Sequence, residues 1–361
     1  MTIAAQDITQ AARRVPLVMR CGALGDMVLL TVLLTQLCER FGKPVDVIAS
    51  GAWCEPLLAG HPAMGRLLMV RSRRTPYWLS RDQQVLVAAL RARGAGPTWF
   101  CDRGEGRALL ARAGIPDDYV IDSTHYPFLS GENFADRYLR LGALTPAAFG
   151  GLLPAAAPGG VRAAHLVVLP QARAELDAWL ARRAITAPWM VFHPGSRHVA
   201  RRRLRARSGA AKYWPEERWA EVVRAVRPHR PEQAIVFSGT QAEASLNEDI
   251  MRRAGVGNLH NAAGDLPITR MLALLERAAS LIAVDTGPAH AAAALSCPTV
   301  ALFGHIDPWL YRPGGATTPA ATVTGTLDGK PNILGIQPRE VIEAWLALTH
   351  ARVDSVKSVN A

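Results

Sequence analysis

Cysteine is scarce in this chain of 361 residues, and its five cysteines never occur as a C-x-x-C pair. An odd number of scattered cysteines argues against a disulfide framework and against a zinc site of the usual spacing. The longest apolar stretch near the start, residues 27–38, is too short to cross a bilayer and is typical of a buried helix. Residues 1–14 carry acidic and amide side chains where a signal peptide has an apolar segment, so we expect a cytoplasmic protein.

Acidic residues are outnumbered, with 30 against 41 basic ones, and arginine far exceeds lysine. The net charge of +11 favours an anionic partner, a class that includes nucleic acid, phosphorylated lipid and the inner-leaflet membrane surface. A GC-rich genome that encodes arginine in place of lysine explains the same excess equally well. Charge alone therefore does not choose a function.

Short apolar strands alternate with amphipathic helices along most of the chain. Residues 15–42 have the pattern of a buried strand, a glycine turn and a helix, and residues 45–50 resemble the next strand. Residues 143–165 are rich in proline, glycine and alanine, which predicts a linker or a variable loop. The alternation resumes at residue 189. It predicts an α/β fold with parallel sheets covered by helices.

The chain consists of two halves of similar build, each opening with a strand and a glycine turn. They predict two doubly wound, Rossmann-like domains that face each other. We place the first domain at residues 1–165, the second at 166–335, and a closing helix with a tail at 336–361. In such folds ligands bind beyond the carboxyl ends of the strands, so the functional site is expected in the loops that follow them.

The triplet Asp285-Thr286-Gly287 raises the question of an aspartic protease. Those enzymes need two such triplets, so that two carboxylates share a proton, and this chain has one. The alternative is a phosphate site: Asp285 and Thr286 favour a helix N-cap, and Pro288 suits the first helical turn. Gly287 would let a phosphate approach the backbone N–H groups and the positive end of the helix dipole. A plainly capped helix would explain the same residues.

Motifs spread over almost the whole chain resemble, in order and spacing, those of glycosyltransferase family 9, the ADP-heptose:lipopolysaccharide heptosyltransferases. GALGDMVLLTVLL (22–34) is similar to the family's N-terminal Leu-Gly-Asp motif, and residues 285–315 are similar to its C-terminal signature. The remaining matches are HPGS (193–196), KYWPEERWAEVV (212–223), SGTQAE (238–243) and residues 261–287.

The resemblance implies a GT-B fold, in which the active site lies in the cleft between two Rossmann-like domains. It implies an inverting, metal-independent transferase that moves heptose from ADP-heptose to an anionic lipopolysaccharide core acceptor. The N-terminal domain would bind the acceptor and the C-terminal domain the nucleotide sugar. We expect a cytoplasmic monomer, peripheral on the inner membrane, with no cofactor, no metal and no nucleic-acid partner. The sequence has no Asp-x-Asp, the metal–nucleotide motif of the other large glycosyltransferase fold.

Two catalytic roles follow from the resemblance. Asp26, which comes after the glycine loop of Gly22 and Gly25, matches the general base that takes the proton of the acceptor hydroxyl. The helix dipole alone would also favour an acidic residue in a first turn. Lys212 matches the lysine that neutralises the departing diphosphate. Its alternative interpretation is an exposed loop lysine.

The resemblance also implies a donor-nucleotide site around the Asp-Thr-Gly triplet and two earlier turns. Glu243 matches a glutamate that holds the ribose hydroxyls, while Asp285 would fix its turn or bind the donor sugar. His290 either reaches the phosphate or sugar, or fills space against the sheet. The residues of this predicted site are Ser196, Glu243, Asp285, Thr286, Gly287, Pro288 and His290.

The acceptor side depends on basic residues. Residues 197–207 hold six arginines and no acid, in a segment longer and more basic than the family's. The segment is either a solvated loop or a clamp on the phosphorylated lipopolysaccharide core or the membrane surface. The candidate acceptor contacts are Asp102, Arg103, Arg107, Arg201, Arg202 and Arg203.

Three other functions fit parts of the sequence. A nucleotide-sugar 2-epimerase shares the fold, but it needs further carboxylates near the sugar and no acceptor. A family 9 transferase with another sugar or a different acceptor is a second alternative. A nucleic-acid binder that uses the arginine run would leave the Leu-Gly-Asp and Asp-Thr-Gly motifs without a purpose.

Overall fold

A computed structural model describes residues 2–104, 106–156, 163–186, 188–196, 211–313 and 320–359. The chain divides into two compact units, Met1–Val167 and Val168–Ala361. The roles of acceptor domain and nucleotide-sugar domain, which the sequence suggests for the two halves, stay a prediction. No helix in the described ranges is both long and apolar enough to span a membrane.

The first unit is a parallel sheet flanked by helices. Its strands are β1 Leu17–Met19, β2 Val45–Ala49, β3 Met64–Met69, β4 Thr98–Phe100 and β5 Val120–Asp122. Its helices are α1 Thr2–Ala12, α2 Leu24–Phe41, α3 Cys54–Leu58, α4 Arg81–Arg93, α5 Gly106–Arg112 and α6 Phe134–Ala143. The strands lie in the order β3-β2-β1-β4-β5, and all of them are parallel.

The second unit repeats this plan with one more strand. Its strands are β6 Trp189–His193, β7 Ala234–Phe237, β8 Leu259–Asn261, β9 Ser280–Val284, β10 Thr299–Phe303 and β11 Ala320–Thr324. Its helices are α7 Pro170–Arg182, α8 Glu216–Val226, α9 Ala244–Ala254, α10 Ile268–Glu276, α11 Gly287–Ala294 and α12 Pro338–Val359. The parallel order is β11-β10-β9-β6-β7-β8, and a small hairpin, β12 Thr326–Leu327 with β13 Lys330–Pro331, follows β11.

Both sheets confirm the predicted doubly wound class. Strands β1, β2, β6 and β9 are buried along their whole length, as expected for parallel strands covered on both faces. The strand order reverses between β1 and β4 in the first unit and between β6 and β9 in the second. Ligands of such folds bind at these switch points, beyond the carboxyl ends of the strands.

Two segments differ from the sequence-based expectation. Part of the predicted linker is packed, because Phe149 is fully buried against Ala11 and Ala12 of α1. Helix α12 continues to Val359, well past residue 350, where the apolar pattern weakens. The five cysteines, all within the described ranges, form no disulfide, as expected.

Candidate active site

The turn after β1 places Asp26 at the switch point of the first unit. Asp26 is the third residue of α2, and its Oδ2 accepts a hydrogen bond from the N–H of Ala23 at 2.7 Å. Gly22 makes this geometry possible, since a Cβ at that position would lie 2.5 Å from the Cβ of Asp26. The carboxylate therefore folds back over the glycine turn.

Arg20 holds the second oxygen of the Asp26 carboxylate. Its Nη2 lies 2.8 Å from Oδ1 of Asp26, and its Nη1 donates to the carbonyl oxygen of Cys101 at 2.8 Å. Burial alone would lower the pKa of Arg20, yet Tyr138 and Asp26 together raise it above its ordinary value. A fixed cation therefore orients Asp26, whose side chain keeps 21% of its surface exposed.

Asp102 follows β4 and supports the same turn from the neighbouring strand. Its Oδ2 accepts from the N–H of Cys21 at 3.3 Å and from Nη1 of Arg73, and it is almost fully buried. Burial and the charge of Asp102 raise the pKa of the Cys21 thiol to about 12, so this cysteine stays protonated at neutral pH. The turn thus presents a carboxylate and no thiolate nucleophile.

Of the other predicted acceptor residues, the structure describes Arg103 and Arg107. Arg103 is exposed, and its N–H donates to Oδ1 of Asp102 at 2.9 Å. Arg107 is ion-paired with Asp117 and lies 3.8 Å from Oδ2 of Asp122. The predicted contacts Arg201, Arg202 and Arg203 lie outside the described residues. Among the predicted acceptor residues that the structure describes, only Asp102 has a side-chain hydrogen bond to the turn that carries Asp26.

The loop after β9 places Asp285 between two basic side chains at the switch point of the second unit. Nζ of Lys212 lies 2.6 Å from Oδ2 of Asp285 and 2.5 Å from its carbonyl oxygen. Nε2 of His290 lies 3.6 Å from Oδ1. Burial alone would raise the pKa of Asp285, but the hydrogen bond from His290 and the charge of Lys212 lower it below its ordinary value. Asp285 is therefore an anion that pairs with Lys212 and lies beside the imidazole of His290.

The helix that follows Asp285 begins differently from the expected capped form. Thr286 occupies the N-cap position, but its hydroxyl donates to the carbonyl of Val284 at 3.0 Å and does not cap α11. The carboxylate of Asp285 is directed to Lys212 and His290. Thr286, Gly287 and Pro288 are half-buried at the helix end. This arrangement leaves the positive end of α11 beside Lys212, which suits a phosphate.

His290 is buried within the same group. Its Nδ1 has no hydrogen-bond partner within the described part of the chain. The ring is thus packed inside the unit beside Asp285, and its contact with a phosphate or sugar stays a prediction.

Glu243 lies in the turn that follows β7, which is separated from β9 by β6 in the sheet. It is almost fully buried, and its Oε2 accepts from the N–H and the hydroxyl of Thr240 at 2.7 and 2.9 Å. Gly195, after β6, makes room for it, since a Cβ there would lie 2.4 Å from Oε1. Ser196 is buried directly after Gly195. The ends of β6 and β7 thus meet around a single carboxylate.

Sequence reasoning missed several residues of this site. Arg20 had a usable signal, because it directly follows a predicted strand, whereas Arg73 has no local signal for its contact with Asp102. His193 ends β6, and its Nδ1 lies 2.9 Å from the hydroxyl of Ser238. Burial lowers the pKa of His193, although the charge of Glu243 opposes the shift. No cluster of three or more potential metal ligands exists among the residues that the structure describes.

Comparison with known proteins links this geometry to one family. The model of glycosyltransferase family 9 (heptosyltransferase) matches residues 168–328, which include the switch point of the second unit. Lipopolysaccharide heptosyltransferase 2 of Salmonella typhimurium is 23% identical over 317 residues, with 79% of this chain and 81% of that protein covered.

Solved structures show the same fold. The ADP-heptose lipopolysaccharide heptosyltransferase II of E. coli superposes with a TM-score of 0.67 at 20% identity, covering 94% of this chain and 99% of that one. A family 9 glycosyltransferase from Veillonella parvula gives a TM-score of 0.74 at 16% identity, covering 94% and 98%. These neighbours confirm the predicted GT-B class.

Proposed function

We propose that this chain is a sugar-transferring enzyme of glycosyltransferase family 9 that moves heptose from ADP-heptose to a lipopolysaccharide core acceptor. The family match over residues 168–328 and the heptosyltransferase relatives support this proposal. The reaction inverts the anomeric centre and uses no metal. The names of the relatives support the donor and acceptor classes. The observation that carries the proposal is the Lys212–Asp285–His290 group at the first turn of α11.

The donor diphosphate binds at this group in the proposed reaction. The N-terminal end of α11 supplies backbone N–H groups and partial positive charge, and Lys212 supplies a full charge. Lys212 is held by Asp285 before the donor arrives. A diphosphate would compete with Asp285 for Nζ, so the lysine is already positioned for the charge that develops as the nucleotide leaves. Glu243 holds the ribose hydroxyls with its Oε1 side.

The acceptor hydroxyl is activated by Asp26 in the proposed reaction. The hydroxyl oxygen attacks the anomeric carbon, and the bond from that carbon to the phosphate oxygen breaks. The electron pair of the broken bond leaves with ADP, and Asp26 takes the hydroxyl proton. Arg20 and the N–H of Ala23 each occupy one lone pair of a different carboxylate oxygen, so each oxygen keeps a second one for the proton.

We further propose that the enzyme works as a monomer on the cytoplasmic side, at the inner-leaflet surface. The excess of arginine supports an anionic surface as partner. A metal is unnecessary in this account because Lys212 and the α11 end provide the charge that a divalent cation would otherwise provide.

A panel of nucleotide sugars tests the donor first. ADP-heptose should raise the melting temperature of the purified chain more than ADP-glucose, UDP-glucose or GDP-mannose, since a ligand stabilises the fold it binds. Product analysis should then show heptosylated acceptor only when donor and acceptor are both present, and an excess of chelator should leave the rate unchanged.

Other products would contradict the proposal. Conversion of the nucleotide sugar without an acceptor would indicate an epimerase. Stabilisation by UDP or GDP sugars alone would indicate a different donor.

A further inference from the structure

The most exposed large apolar side chains lie together in one short stretch of the first unit. Trp78, Leu79 and Val85 are 75%, 61% and 60% exposed, more than any other large hydrophobic side chain that the structure describes. Trp78 and Leu79 belong to the 3₁₀ turn Tyr77–Leu79, and Val85 lies in the second turn of α4. These three residues and Arg71, Arg74 and Arg81 are called the Trp78 patch below.

The backbone that presents the patch is firmly held. Nε2 of Gln84 donates to the carbonyl oxygens of Tyr77 and Trp78 at 3.1 and 3.3 Å. Nε2 of Gln83 donates to the carbonyl oxygens of Ser72 and Thr75 at 2.7 and 2.8 Å. The exposure of Trp78 and Leu79 is thus a property of a hydrogen-bonded turn.

Tyr77 anchors the turn on its inner side. Its ring packs against the core of the first unit, with the guanidinium of Arg112 4.7 Å from the ring centroid. Because the first residue of the turn is used in this way, the next two side chains are left to face solvent.

Arginines flank the apolar side chains in the sequence, and three of them, Arg66, Arg73 and Arg93, are ion-paired with Asp46 or Asp102. Residues 66–93 contain seven arginines and a single acid, Asp82. The Asp82 carboxylate already accepts from the hydroxyl of Ser80 and the N–H of Arg71, both at 2.7 Å. The three patch arginines are exposed: Arg71, Arg74 and Arg81. Charge complementarity therefore selects an anionic partner.

We infer that the Trp78 patch docks the protein on an anionic phospholipid bilayer. Tryptophan favours the membrane–water interface, and aliphatic side chains such as Leu79 and Val85 gain from burial at the acyl boundary. Arginine binds the phosphates and the negative surface potential of the headgroups. The inference rests on the proposed function for its purpose, because a lipopolysaccharide acceptor has a lipid end that holds it at a membrane.

Two other occupants fit the patch less well. A second copy docked by two-fold symmetry would place the same arginines opposite each other. Single-stranded nucleic acid uses several aromatic rings as stacking platforms, and the patch offers Trp78 alone, because the ring of Tyr77 is taken by Arg112. Leu79 and Val85 would gain nothing from bases. A bilayer uses all six residues.

Co-sedimentation of the full chain with vesicles tests the inference. The protein should bind vesicles with about one quarter phosphatidylglycerol and bind pure phosphatidylcholine vesicles less, with binding weakened by salt. The double variant Trp78→Ser/Leu79→Ser should lower the partition coefficient about tenfold or more. Arg71→Gln/Arg81→Gln should lower binding to the anionic vesicles only. Residues 197–207 also carry arginines, so vesicle binding is assigned to the patch only if these variants lower it.

Trp309→Ser is the matched control, because Trp309 is 48% exposed and belongs to the second unit. It should bind vesicles like the wild type, and all variants should keep the ADP-heptose melting shift. Vesicle binding by the Trp78 double variant at the wild-type level would overturn the inference. So would a wild type that binds an oligonucleotide through the patch but does not bind vesicles. A wild type that binds vesicles through the patch but transfers no heptose would instead overturn the proposed function.

Discussion

Asp285 and Lys212 are separated by 73 positions in the sequence, yet Nζ of Lys212 lies 2.6 Å from Oδ2 of Asp285. The carboxylate is 8% exposed and the lysine 21%. At this exposure the removal of one partner is costly, because it leaves the other charge poorly solvated. Lys212 therefore affects both the stability of the fold and the proposed neutralisation of the departing diphosphate.

Lys212→Met should lower both stability and turnover. The remaining Asp285 carboxylate would keep only His290, which we expect to cost about 2 kcal/mol of unfolding free energy. We expect kcat to fall about 100-fold or more, since a charge that stabilises the departing diphosphate is lost. Chemical denaturation and steady-state kinetics measure the two effects. Lys330→Met, an exposed lysine in the same unit, should change neither.

The stability difference should also depend on pH. The folded pKa of Asp285 is lowered, so its pairing stabilises the fold above the unfolded pKa of about 4 and is lost as the pH falls through the lower folded value. The difference in unfolding free energy between the wild type and Lys212→Met should therefore stay constant from pH 7 to about 5 and shrink below about 4, as chemical denaturation measures it. A difference that grows in acid would contradict the ion pair.

Gly195→Ala should impair nucleotide binding through Glu243. The new Cβ would lie 2.4 Å from Oε1 in a buried turn, so the carboxylate must move. We expect the ADP affinity to fall about tenfold, measured by calorimetry, as one pair of ribose hydrogen bonds is misplaced. Gly257→Ala is the control, because its Cβ would meet nothing within 4 Å. Equal ADP affinity in both variants would exclude Glu243 from the ribose site.

At the scale of elements, α11 depends on small side chains. Its residues Ala291, Ala292 and Ala293 are buried, and the helix packs on β9, β10 and α10. Ala292→Leu should overpack this interface and lower the unfolding free energy by about 1–3 kcal/mol. Because α11 carries the phosphate-type end, donor-induced stabilisation should shrink too. Ala178→Leu is the control, because Ala178 is exposed on α7, and it should leave the melting temperature nearly unchanged. A similar loss of stability in both variants would contradict the close packing of α11.

The elements show where sequence patterns succeed. The strands β2, β6, β7 and β10 were predictable because buried parallel strands are continuous apolar runs between turn residues. The pattern in residues 143–165 predicted a loop, but whether Phe149 packs against α1 depends on residues more than a hundred positions away. The sequence predicts that Thr286 caps a helix. It does not predict that the Thr286 hydroxyl donates to the carbonyl oxygen of Val284 instead.

At the scale of the whole molecule, each unit carries its candidate groups at its own switch point. Asp26 and Asp102 follow β1 and β4, and Gly195 and Asp285 follow β6 and β9. This placement was predictable, because a doubly wound sheet gathers the loops after neighbouring strands. The partners Arg73 and His193 were not, since side-chain pairing across strands has no periodic signal.

The central claim is that Asp26 accepts the acceptor proton in heptose transfer, and Asp26→Asn tests it most directly. The matched control is Asp136→Asn, which changes the first-turn acid of α6 in the same unit. With ADP-heptose and a lipopolysaccharide core acceptor, Asp26→Asn should lose about 10²–10⁴-fold in transfer rate, while Asp136→Asn keeps it and both keep the donor-induced melting shift. Transfer by Asp26→Asn at the wild-type rate would contradict the account.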